Sequence, residues 1–583
     1  MAAIVTNKFR IYAAQKFIAG IGDNLTDNNV YFFIGKTSPW DDEDAPDFPK
    51  DTVLSHINDW SEIFHLKRLS ISNCSLVIPR YDWKMGVVYQ PYDDSIDLFD
   101  PTLGLKPFYV FTSDLGVYKC LSNNYGGPSF VQPTGTSTNI ITTVDKYQWK
   151  FMFTVGSADA QKFLTDFWIP VKALIVSDGS KQFDVQQSAV DGSIDVILIE
   201  NGGYGYNTPP DITITGNGSN ATVEATIKNG VITSLQITDR GASYTNAVVT
   251  AQEGEVTSVI ITNGGSGYNS APGVIFSGGS GSGAKATATI LNGVVTLVTV
   301  TDGGSEYVDI PTVSFDFGTA TATCVISGGS ELRAVIPPPN GHGSDAVSEL
   351  GGYFVLMDVQ FAYNEGGFNV TNDFRKIGIV LNPKLYGSSV IASATTHIQT
   401  HSLCLTEHSG DPFETDEVII GASSSAIGDV LDFDNDTNIL RLVNVIGTFM
   451  PDEIIENESD SKTGKVEIFN GTALGGNSDQ IILSLSDPAG VNEYAGYSIR
   501  IVDGTGEGQQ RRIVSNSVVS GDKVAIVHPD WDIIPDNTSV YSVGNIVFPD
   551  LQPNSGYILY VENRRAITRA SDQLEDIKCI IEM

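Results

Sequence analysis

The sequence predicts a mainly β protein in which two all-β segments interrupt a discontinuous α+β core. Three observations carry this prediction. The composition changes abruptly near residue 191 to Gly, Thr, Val, Ile, Asn and Ser, a second zone of strands and Gly turns runs from about 390 to 552, and the style of the first 190 residues returns twice. The core is therefore predicted to comprise 1–190, 331–389 and 553–583, with inserted β domains at 191–330 and 390–552.

The first zone combines one short helix with strands and long Pro- and Asp-rich loops. Apolar residues at helical spacing predict a helix over Asn7–Phe17. Alternating or continuous apolar runs predict strands at Val30–Ile34, Phe108–Thr112 and Trp149–Val155. Five of the six tryptophans lie in this zone and are interpreted as core and interface anchors, not as a ligand cage; they are Trp40, Trp60, Trp83, Trp149 and Trp168.

An internal repeat marks residues 191–330. Each unit has an alternating strand, a glycine-containing turn and a tyrosine, and the turns read NGGYGY, DRGASY, NGGSGY and DGGSEY. The four tyrosines are Tyr206, Tyr244, Tyr268 and Tyr307, and alternate ones are 62 and 63 residues apart. Asn229-Gly230-Val231 recurs as Asn292-Gly293-Val294 at the same offset. A duplicated unit is therefore predicted, folded as a β-solenoid-like or β-sandwich array in which the tyrosines cap the repeat ends.

Residues 331–389 return to the style of the core, with strands expected around Tyr353–Val359 and Ile377–Leu381. The zone at 390–552 then has a weaker repeat, in which the segment starting at Phe413 recurs 36 residues later at Phe449. This offset aligns four pairs of residues: Asp416 with Asp452, Glu417 with Glu453, Gly428 with Gly464, and Val430 with Val466. Strands are also predicted near Tyr557–Glu562 and Asp576–Ile581, back in the core.

Charge and composition exclude several classes of function. The chain has 583 residues, enough for several domains, and its 34 Lys and Arg against 69 Asp and Glu give a net charge of −35. No run of Lys or Arg offers the positive surface that nucleic acid or an anionic membrane needs. The hydrophobic fraction of 41% predicts folded domains, since disordered acidic chains lack apolar groups to bury.

The cysteines and the N-terminus predict assembly inside a cell. Five cysteines are scattered along the chain without a CxxC pair, which argues against a disulfide framework or a zinc site; they are Cys74, Cys120, Cys324, Cys404 and Cys579. The N-terminal residues have no long apolar stretch, so neither a signal peptide nor a membrane span is expected.

The candidate metal sites are weak. His397, His401 and His408 lie in HIQTHSLCLTEH, and the first two would share a face if the segment were helical. The neighbouring Thr and Ser residues favour a strand or loop instead. The run DFDNDTN places Asp432, Asp434, Asp436 and Asn438 at alternate positions, but Thr437 and Val443 stand where a calcium-binding EF-hand needs Gly and Glu, so a turn between strands is predicted.

No catalytic or cofactor-binding residue is predicted. The Gly-rich stretches at 278–283 and 504–509 lack a following helix or lysine, so they are interpreted as hairpin turns and not as phosphate-binding loops. Acidic pairs such as Asp93-Asp94 are common in a chain with 69 acids and do not indicate a glycosidase. Walker, HExxH and nucleophile-elbow motifs are absent from the sequence. Partner-binding residues are not identified either.

The core zones resemble the gene-eight baseplate wedge proteins of T-even-like contractile-tailed phages. The segments that carry the resemblance run in the family's order: AIVTNKFR (3–10), NNVYFFIGKTSPW (28–40), PKDTVL (49–54), VIPRYDW (77–83), VYKCL (117–121), YQWKFMFTV (147–155), FRKIGIVLNP (374–383), SGYILYVENRRAI (555–567) and DQLEDIKCIIEM (572–583). The zones that contain them make up roughly half of the chain, whereas 191–330 and 390–552 have no counterpart in the family. Both segments therefore resemble insertions into surface loops, which cost little when the loop ends stay close together.

The resemblance implies a structural protein without an enzymatic reaction or cofactor. It implies that the core forms a homodimer, packs with other wedge proteins, and joins the wedges around a central hub in the baseplate of the virion. The expected partners are thus the chain itself and other baseplate proteins, with no nucleic acid and no membrane. The alternative is an adhesin, or a protein that binds or degrades polysaccharide, in which the β inserts contact a host-surface glycan. Aromatic residues exposed along a groove would favour that alternative, whereas buried ones would favour a scaffold.

Overall fold

The computed structural model describes residues 4–22, 28–361, 373–459, 461–567 and 574–583. Ala3, Asp572 and Gln573, which belong to the resembling segments, lie outside these residues. Within the described part the chain forms 39 strands, five α-helices and two short 3₁₀ helices, so the predicted mainly β class is confirmed.

The elements before residue 190 include most of the helices. In chain order they are α1 Asn7–Gly22, β1 Val30–Gly35, α2 Val53–Glu62, β2 Ile63–Arg68, β3 Cys74–Pro79, β4 Tyr109–Phe111, β5 Gly116–Asn123, β6 Ile141–Thr142, β7 Tyr147–Thr154, α3 Ser157–Phe163, β8 Trp168–Val171 and α4 Lys181–Ser188.

The repeat zone contains only strands. They are β9 Val196–Tyr204, β10 Ile212–Gly216, β11 Ser219–Lys228, β12 Val231–Ala242, β13 Ala247–Ala251, β14 Val256–Asn263, β15 Val274–Ser277, β16 Lys285–Leu291, β17 Val294–Asp302, β18 Thr312–Phe315, β19 Thr321–Ile326 and β20 Gly328–Val335.

One helix and nineteen strands follow among the described residues. They are α5 Ala346–Leu350, β21 Phe354–Phe361, β22 Phe374–Leu381, β23 Thr396–Ile398, β24 His401–Ser409, β25 Val418–Gly421, β26 Ile427–Asp434, β27 Ile439–Ile446, β28 Ile454–Asn457, β29 Thr463–Val466, β30 Ile468–Thr472, β31 Gly475–Asn477, β32 Gln480–Ile482, β33 Ser498–Asp503, β34 Gln510–Val519, β35 Asp522–His528, β36 Val540–Gly544, β37 Ile546–Val547, β38 Tyr557–Ile567 and β39 Glu575–Glu582.

The chain divides into two compact units that each combine distant parts of the sequence. The first unit comprises Met1–Ile11 and Leu76–Phe354, and the second comprises Tyr12–Ser75 and Val355–Met583. The predicted inserted domains at 191–330 and 390–552 divide the chain in a different way, and their boundaries stay predictions.

In the first unit, a four-stranded sheet carries the aromatic core predicted for the first zone. Its strand order is β4-β5-β7-β6. Most residues of β5 and β7 are buried, and Tyr147 and Trp149 stack with ring centroids 5.4 Å apart. Trp149 and Val185 of α4 belong to the same buried cluster, so the helix covers one face of the sheet.

The duplicated unit of the repeat zone is nested. The first copy forms the sheet β10-β13-β20-β9 with the hairpin β11–β12, and the second forms β14-β19-β18-β15 with the hairpin β16–β17. Strand β20 completes the first sheet, although it follows the whole second copy in sequence. Each copy has its own buried clusters. In each copy, a four-stranded antiparallel sheet is accompanied by a separate two-stranded hairpin.

The repeated sequence positions have the same backbone conformation. Asn229 and Asn292 have φ of 55° and 54°, and the glycines after them have φ of 75° and 77°. Two consecutive residues with positive φ form the type I′ turn that suits a two-residue hairpin. The turn joins Lys228 to Val231 in one copy, and Leu291 to Val294 in the other. The sequence signal Asn-Gly-Val therefore marks the two hairpins.

The repeat zone leaves and re-enters its surroundings at neighbouring points. Val196 at the start of β9 pairs with Val335 at the end of β20. Both side chains are buried together with Leu121 of β5. The two ends of the zone therefore lie side by side, which is the geometry that an inserted segment needs.

The second unit contains a five-stranded antiparallel sheet of order β23-β2-β1-β22-β38, and β21 pairs with β39. Strand β1 is central and all six of its residues are buried. Tyr31, Phe33, Trp60 and Val380 belong to one buried cluster on this sheet. The strands expected at Val30–Ile34, Ile377–Leu381 and Tyr557–Glu562 are confirmed, each with slightly longer bounds.

Residues 401–466 form a closed barrel built from the weaker repeat. Six strands follow the order β27-β26-β25-β28-β29-β24, and β24 also pairs with β27, which closes the ring. The copies meet where Ile420 pairs with Glu456, which are equivalent positions because 456 − 420 = 36. Asp416 and Asp452 both have positive φ, 68° and 66°. The repeat read from the sequence is therefore a structural one.

Residues 468–544 form a separate seven-stranded sheet of order β30-β36-β33-β34-β35-β32-β31. A buried cluster that includes Tyr494, Trp531 and Tyr541 lies on it. The longer stretch from Tyr386 to Asp550 contains β23, the barrel and this sheet. Its two ends are neighbours, because the Tyr386 amide donates to the carbonyl of Asp550 at 2.8 Å. Leu385 and Leu551 form a bridge beside this hydrogen bond.

Candidate assembly surface

The three histidines considered as metal ligands lie on strands, as their neighbours favoured. His397 is on β23 and its Nδ1 atom lies 3.6 Å from a carboxylate oxygen of Asp550. His401 and His408 are on β24, where their rings lie against Phe548 and Phe433. Across the residues that the structure describes, no group of three His, Cys, Asp or Glu side chains could hold a metal ion.

The other sequence candidates form turns. Asp436 and Thr437 lie between β26 and β27, and their backbone amides donate hydrogen bonds to the carboxylate of Asp434 at the end of β26. The glycine-rich stretch 504–509 connects β33 to β34, which pair with each other, so it is a hairpin turn as predicted. The stretch 278–283 connects β15 to β16, which belong to different sheets, so the hairpin predicted there is wrong.

Asp93 and Asp94 bind the same arginine. The Arg333 guanidinium on β20 lies 2.6 Å from Asp93, 3.1 Å from Asp94 and 3.1 Å from Glu200 on β9. Burial raises the pKa of Asp93, but hydrogen bonds from Arg333 and Ser95 together outweigh burial, so the pKa is lowered overall. The acidic pair therefore joins its loop to strand β20 of the repeat zone.

The repeat tyrosines are buried. All four side chains are at most about one-twentieth exposed. The backbone amides of Tyr206 and Tyr268 donate to the carbonyls of Gly230 and Gly293, at equivalent places in the two copies. The Tyr268 hydroxyl accepts a hydrogen bond from the Ala320 amide at 2.8 Å. The tyrosines thus join each Gly turn to the neighbouring hairpin, and their rings are closed to a sugar.

A buried charged cluster stabilises the first unit. The Lys119 ammonium lies 2.7 Å from Glu349 and 3.0 Å from the Nδ1 atom of His342. Burial lowers the pKa of Lys119. Burial and the adjacent Lys119 charge lower the pKa of His342 to about 4. Burial alone would raise the pKa of Glu349, but Lys119 lowers it to about 2.

A second buried ion network holds helix α2 in the second unit. The Lys376 ammonium on β22 lies 2.5 Å from Asp59 and also contacts Glu62, and both carboxylates belong to α2. Although burial lowers it, these carboxylates raise the pKa of Lys376. The Thr52 hydroxyl caps the helix by accepting from the Ser55 amide at 3.1 Å. The helix is thus fixed at its first and last turns.

Helix α2 and the loop before it expose apolar side chains among acidic ones. We call this surface, within residues 41–57, the acid-flanked patch. Its apolar side chains are Phe48, Val53, Leu54 and Ile57, and all four are exposed. Five exposed aspartates surround them in sequence: Asp41, Asp42, Asp44, Asp47 and Asp51. Phe48 is 91% exposed. It follows Asp47 and lies between Pro46 and Pro49 in the sequence.

Helix α1 also has an exposed apolar side. Ile11, Ala14 and Ile21 are buried, whereas Val5, just before the helix, and Phe9 and Tyr12 within it are exposed. The Lys16 ammonium lies 5.6 Å from the centre of the Tyr12 ring. Exposed apolar side chains on an otherwise polar surface indicate contacts with other proteins. In the described part of the chain, no helix is long and apolar enough to cross a membrane.

Sequence reasoning did not single out the acid-flanked patch. The PKDTVL segment (49–54) was noted only for its resemblance to the phage family. Two signals could have identified it: a phenylalanine between prolines in a loop of aspartates, and apolar residues at Val53, Leu54 and Ile57 of a helix whose opposite side carries Asp59.

The geometry defines a strand-rich protein whose notable surfaces are suited to contacts with other proteins. Residues 3–123 match the family model described as Bacteriophage T4, Gp8. The chain is 30% identical over 126 residues to baseplate wedge protein gp8 of Enterobacteria phage T4, which covers 20% of this chain and 37% of that protein. It is 36% identical over 87 residues to virion protein 3 of Enterococcus phage phiEF24C, which covers 15% of this chain and 42% of that protein.

The matched part is limited. The chain spans less than half the length of both relatives. The family match includes α1, the acid-flanked patch, and the strands up to β5. The resembling segments after residue 123 lie outside it, and so do both predicted inserts. The similarity is thus to a phage baseplate protein, and it lies in the N-terminal part of the chain.

Proposed function

We propose that the chain is a structural wedge subunit of the baseplate of a contractile phage tail. In this proposal it is part of the virion, it is assembled in the host cytoplasm, and it packs with other wedge proteins around the hub. The observation that carries the proposal is the match of residues 3–123 to the Gp8 family, in which one relative is named a baseplate wedge protein. The exposed apolar side chains of the acid-flanked patch lie within the matched residues.

The proposal includes a homodimer and no catalysis. With a net charge of −35, two copies repel each other at long range, so an apolar contact must hold the dimer. Asp93 and Asp94 are paired with Arg333, and Asp434 binds the backbone of the turn after β26, and these structural roles support a scaffold. The purified protein should therefore not hydrolyse peptidoglycan or polysaccharide. Turnover that one carboxylate substitution abolishes would contradict this part of the proposal.

The adhesin alternative loses its candidate binding residues. Tyr206, Tyr244, Tyr268 and Tyr307 were its proposed sugar platforms, and a sugar stacks on an aromatic face only when that face is open to solvent. All four rings are buried under the Gly turns. The four repeat tyrosines therefore support a scaffold, and the exposed aromatic residues of the zone, Tyr204 and Phe317, are not among them.

The experiment is to locate the chain in the particle. Virions of the encoding phage are purified, tails are separated, and the chain is quantified by mass spectrometry and labelled by antibody in electron micrographs. We expect copies in a fixed ratio to other baseplate proteins and label at the distal end of the tail. A phage with a stop codon in this gene, grown with and without a complementing plasmid, should assemble baseplates only with the plasmid. Absence of the chain from purified particles would overturn the proposal.

A further inference from the structure

The acid-flanked patch is built to keep its apolar residues exposed. Phe48 has neither an aromatic ring nor a cation against it among the contacts of the described residues. Leaving a phenylalanine exposed forgoes the free energy gained by burying its ring. Val53, Leu54 and Ile57 add to this exposed area on the first two turns of α2. Four exposed apolar side chains close together in the sequence indicate a contact surface.

The loop that carries Phe48 is anchored on both sides. On one side, the Arg565 guanidinium of β38 lies 3.3 Å from the Asp44 carboxylate, and the Asn563 amide donates to the Asp47 carbonyl at 2.7 Å. On the other side, the Thr52 cap fixes the start of α2. Pro46 and Pro49 restrict the backbone between these anchors. Phe48 is therefore held ready for binding, which lowers the entropy that a partner must offset.

The charges of the loop select the partner. Residues 41–51 contain six carboxylates and one lysine, a net of five negative charges. Glu43 binds Arg375, but Asp41, Asp42 and Asp47 have no cation within ion-pair distance among the described residues. A partner that covered Phe48 with an acidic or neutral surface would bury these charges without compensation. A partner with lysine or arginine around an apolar cleft would pair them.

We infer that the acid-flanked patch binds a different baseplate protein, one that presents a cleft for Phe48 rimmed by lysine and arginine. The inference rests on the proposed function and specifies one partner surface. A second copy of this chain is the competing occupant, since α1 carries Lys8, Arg10 and Lys16. It is disfavoured because a second copy, with 34 Lys and Arg against 69 Asp and Glu, offers few cations to pair with the five net negative charges of the loop.

The test places a photoreactive residue in the patch in whole phage. Phe48→p-benzoylphenylalanine is introduced by stop-codon suppression on the complementing plasmid, and particles that assemble with it are irradiated. The matched control is Phe167→p-benzoylphenylalanine, because Phe167 is also an exposed aromatic residue but belongs to the first unit. We expect position 48 to cross-link to one other virion protein, at a peptide rich in lysine and arginine.

The cross-linked protein is then purified and its affinity measured against the full chain. We expect Phe48→Ala to weaken binding at least tenfold and Phe167→Ala to change it less than twofold. Asp47→Asn combined with Asp51→Asn should slow association several-fold at low salt and much less at high salt. These variants alter only exposed side chains and should fold normally.

The outcomes separate the inference from the proposed function. Cross-links from position 48 to a second copy of this chain, to an acidic surface, or to nothing, in particles that contain the chain, overturn the inference alone. An equal affinity of the Phe48→Ala variant and the unchanged chain also overturns it. Absence of the chain from particles overturns the proposed function and the inference together.

Discussion

Lys119 and Lys150 lie directly opposite each other in the β5–β7 ladder, and both side chains are buried. Like charges at opposed positions destabilise a sheet, so each ammonium needs its own partner. Lys119 pairs with Glu349, and Lys150 donates to the Thr138 carbonyl at 2.6 Å. Burial lowers the pKa of Lys150. Glu349 is thus the carboxylate in direct contact with Lys119, one of the two buried lysines.

The first prediction concerns removal of that carboxylate. Glu349→Gln keeps the shape but leaves Lys119 without its counter-ion, and breaking one half of a buried ion pair costs about 3–5 kcal/mol. We expect the free energy of opening of β5, from hydrogen exchange, to fall by this amount. The double variant Lys119→Met with Glu349→Leu removes both charges and should recover most of the loss. A double variant as unstable as the single one would show that the loss comes from altered packing and not from the broken ion pair.

The second prediction is a loss of stability in mild acid because of His342. Its pKa in the folded protein is about 4, below the usual 6.5, owing to burial and the Lys119 charge. As the pH falls below 6.5, His342 becomes protonated in the unfolded chain but stays neutral in the folded chain, so the free energy of unfolding falls until about pH 4. The loss reaches about 3 kcal/mol. Glu349, with a pKa of about 2, adds a further loss only below pH 4.5.

The comparison of His342→Gln with the unchanged protein isolates this effect. The variant should be less stable at pH 7, since it alters the contact with Lys119, but its stability should change less between pH 7 and pH 5. His56→Gln is the control, because His56 is partly exposed and lies in the second unit. Parallel pH dependence of His342→Gln and the unchanged protein, again measured by hydrogen exchange of β5, would contradict the prediction.

The third prediction concerns the repeat tyrosines. Tyr268→Phe leaves the Ala320 amide without its acceptor and should cost about 1–3 kcal/mol. Tyr268→Ala also empties a buried site and should cost about 3–5 kcal/mol. Gly318→Ala should be comparably harmful, because φ is 90° there and the new Cβ would collide with the Tyr268 ring. Thermal unfolding followed by tyrosine fluorescence measures these changes.

The matched control is Tyr204→Phe, two residues before Tyr206 in the same kind of turn, because Tyr204 is exposed. It should leave the unfolding midpoint unchanged. A midpoint that Tyr268→Phe and Tyr204→Phe shift equally would mean that the buried hydroxyl contributes nothing.

The sequence predicted local features of the fold better than the connections between them. Asn-Gly at 229–230 and 292–293 requires positive φ at both positions, so the two hairpins followed from residue chemistry alone. The nested position of β20 did not follow, because its pairing with β9 and β13 depends on contacts distant in sequence. The exposure of Phe48 followed only in part: the surrounding prolines and aspartates indicate a surface loop, but a phenylalanine in such a loop can fold inward or outward.

The fourth prediction tests the insertion of the two β zones. Deleting residues 197–334 with a short Gly/Ser bridge should leave a soluble protein, because Val196 and Val335 are adjacent and keep their packing on Leu121. A Gly/Ser bridge between residues 399 and 550 keeps β23 in its sheet and should do the same for the second zone, because the Asp550 amide donates to the Ile398 carbonyl. Sedimentation and hydrogen exchange of the remaining strands measure the outcome.

A deletion of equal length shifted toward the N-terminus, residues 185–322, is the control. It removes Val185 and Val196 from two buried clusters and should aggregate. Aggregation of both designed deletions, with the same loss of soluble protein as the shifted one, would show that the zones are integral parts of the core and not insertions.

The fifth prediction separates the homodimer contact from the contact at the acid-flanked patch by their response to salt. Raising the salt concentration to about 0.5 M shortens the range of charge interactions to a few ångströms. Repulsion between two copies that each carry −35 then weakens while apolar association does not, so the homodimer should stay intact or tighten. Capture of the basic partner by the acid-flanked patch should instead slow down. Sedimentation in a salt series measures the first effect, and association kinetics measure the second.

Phe48→Ala serves both measurements, since it should weaken the partner contact and leave the homodimer unchanged. A homodimer that dissociates as salt rises would mean that an ionic contact holds it, and a homodimer lost in Phe48→Ala would assign the patch to a second copy of the chain.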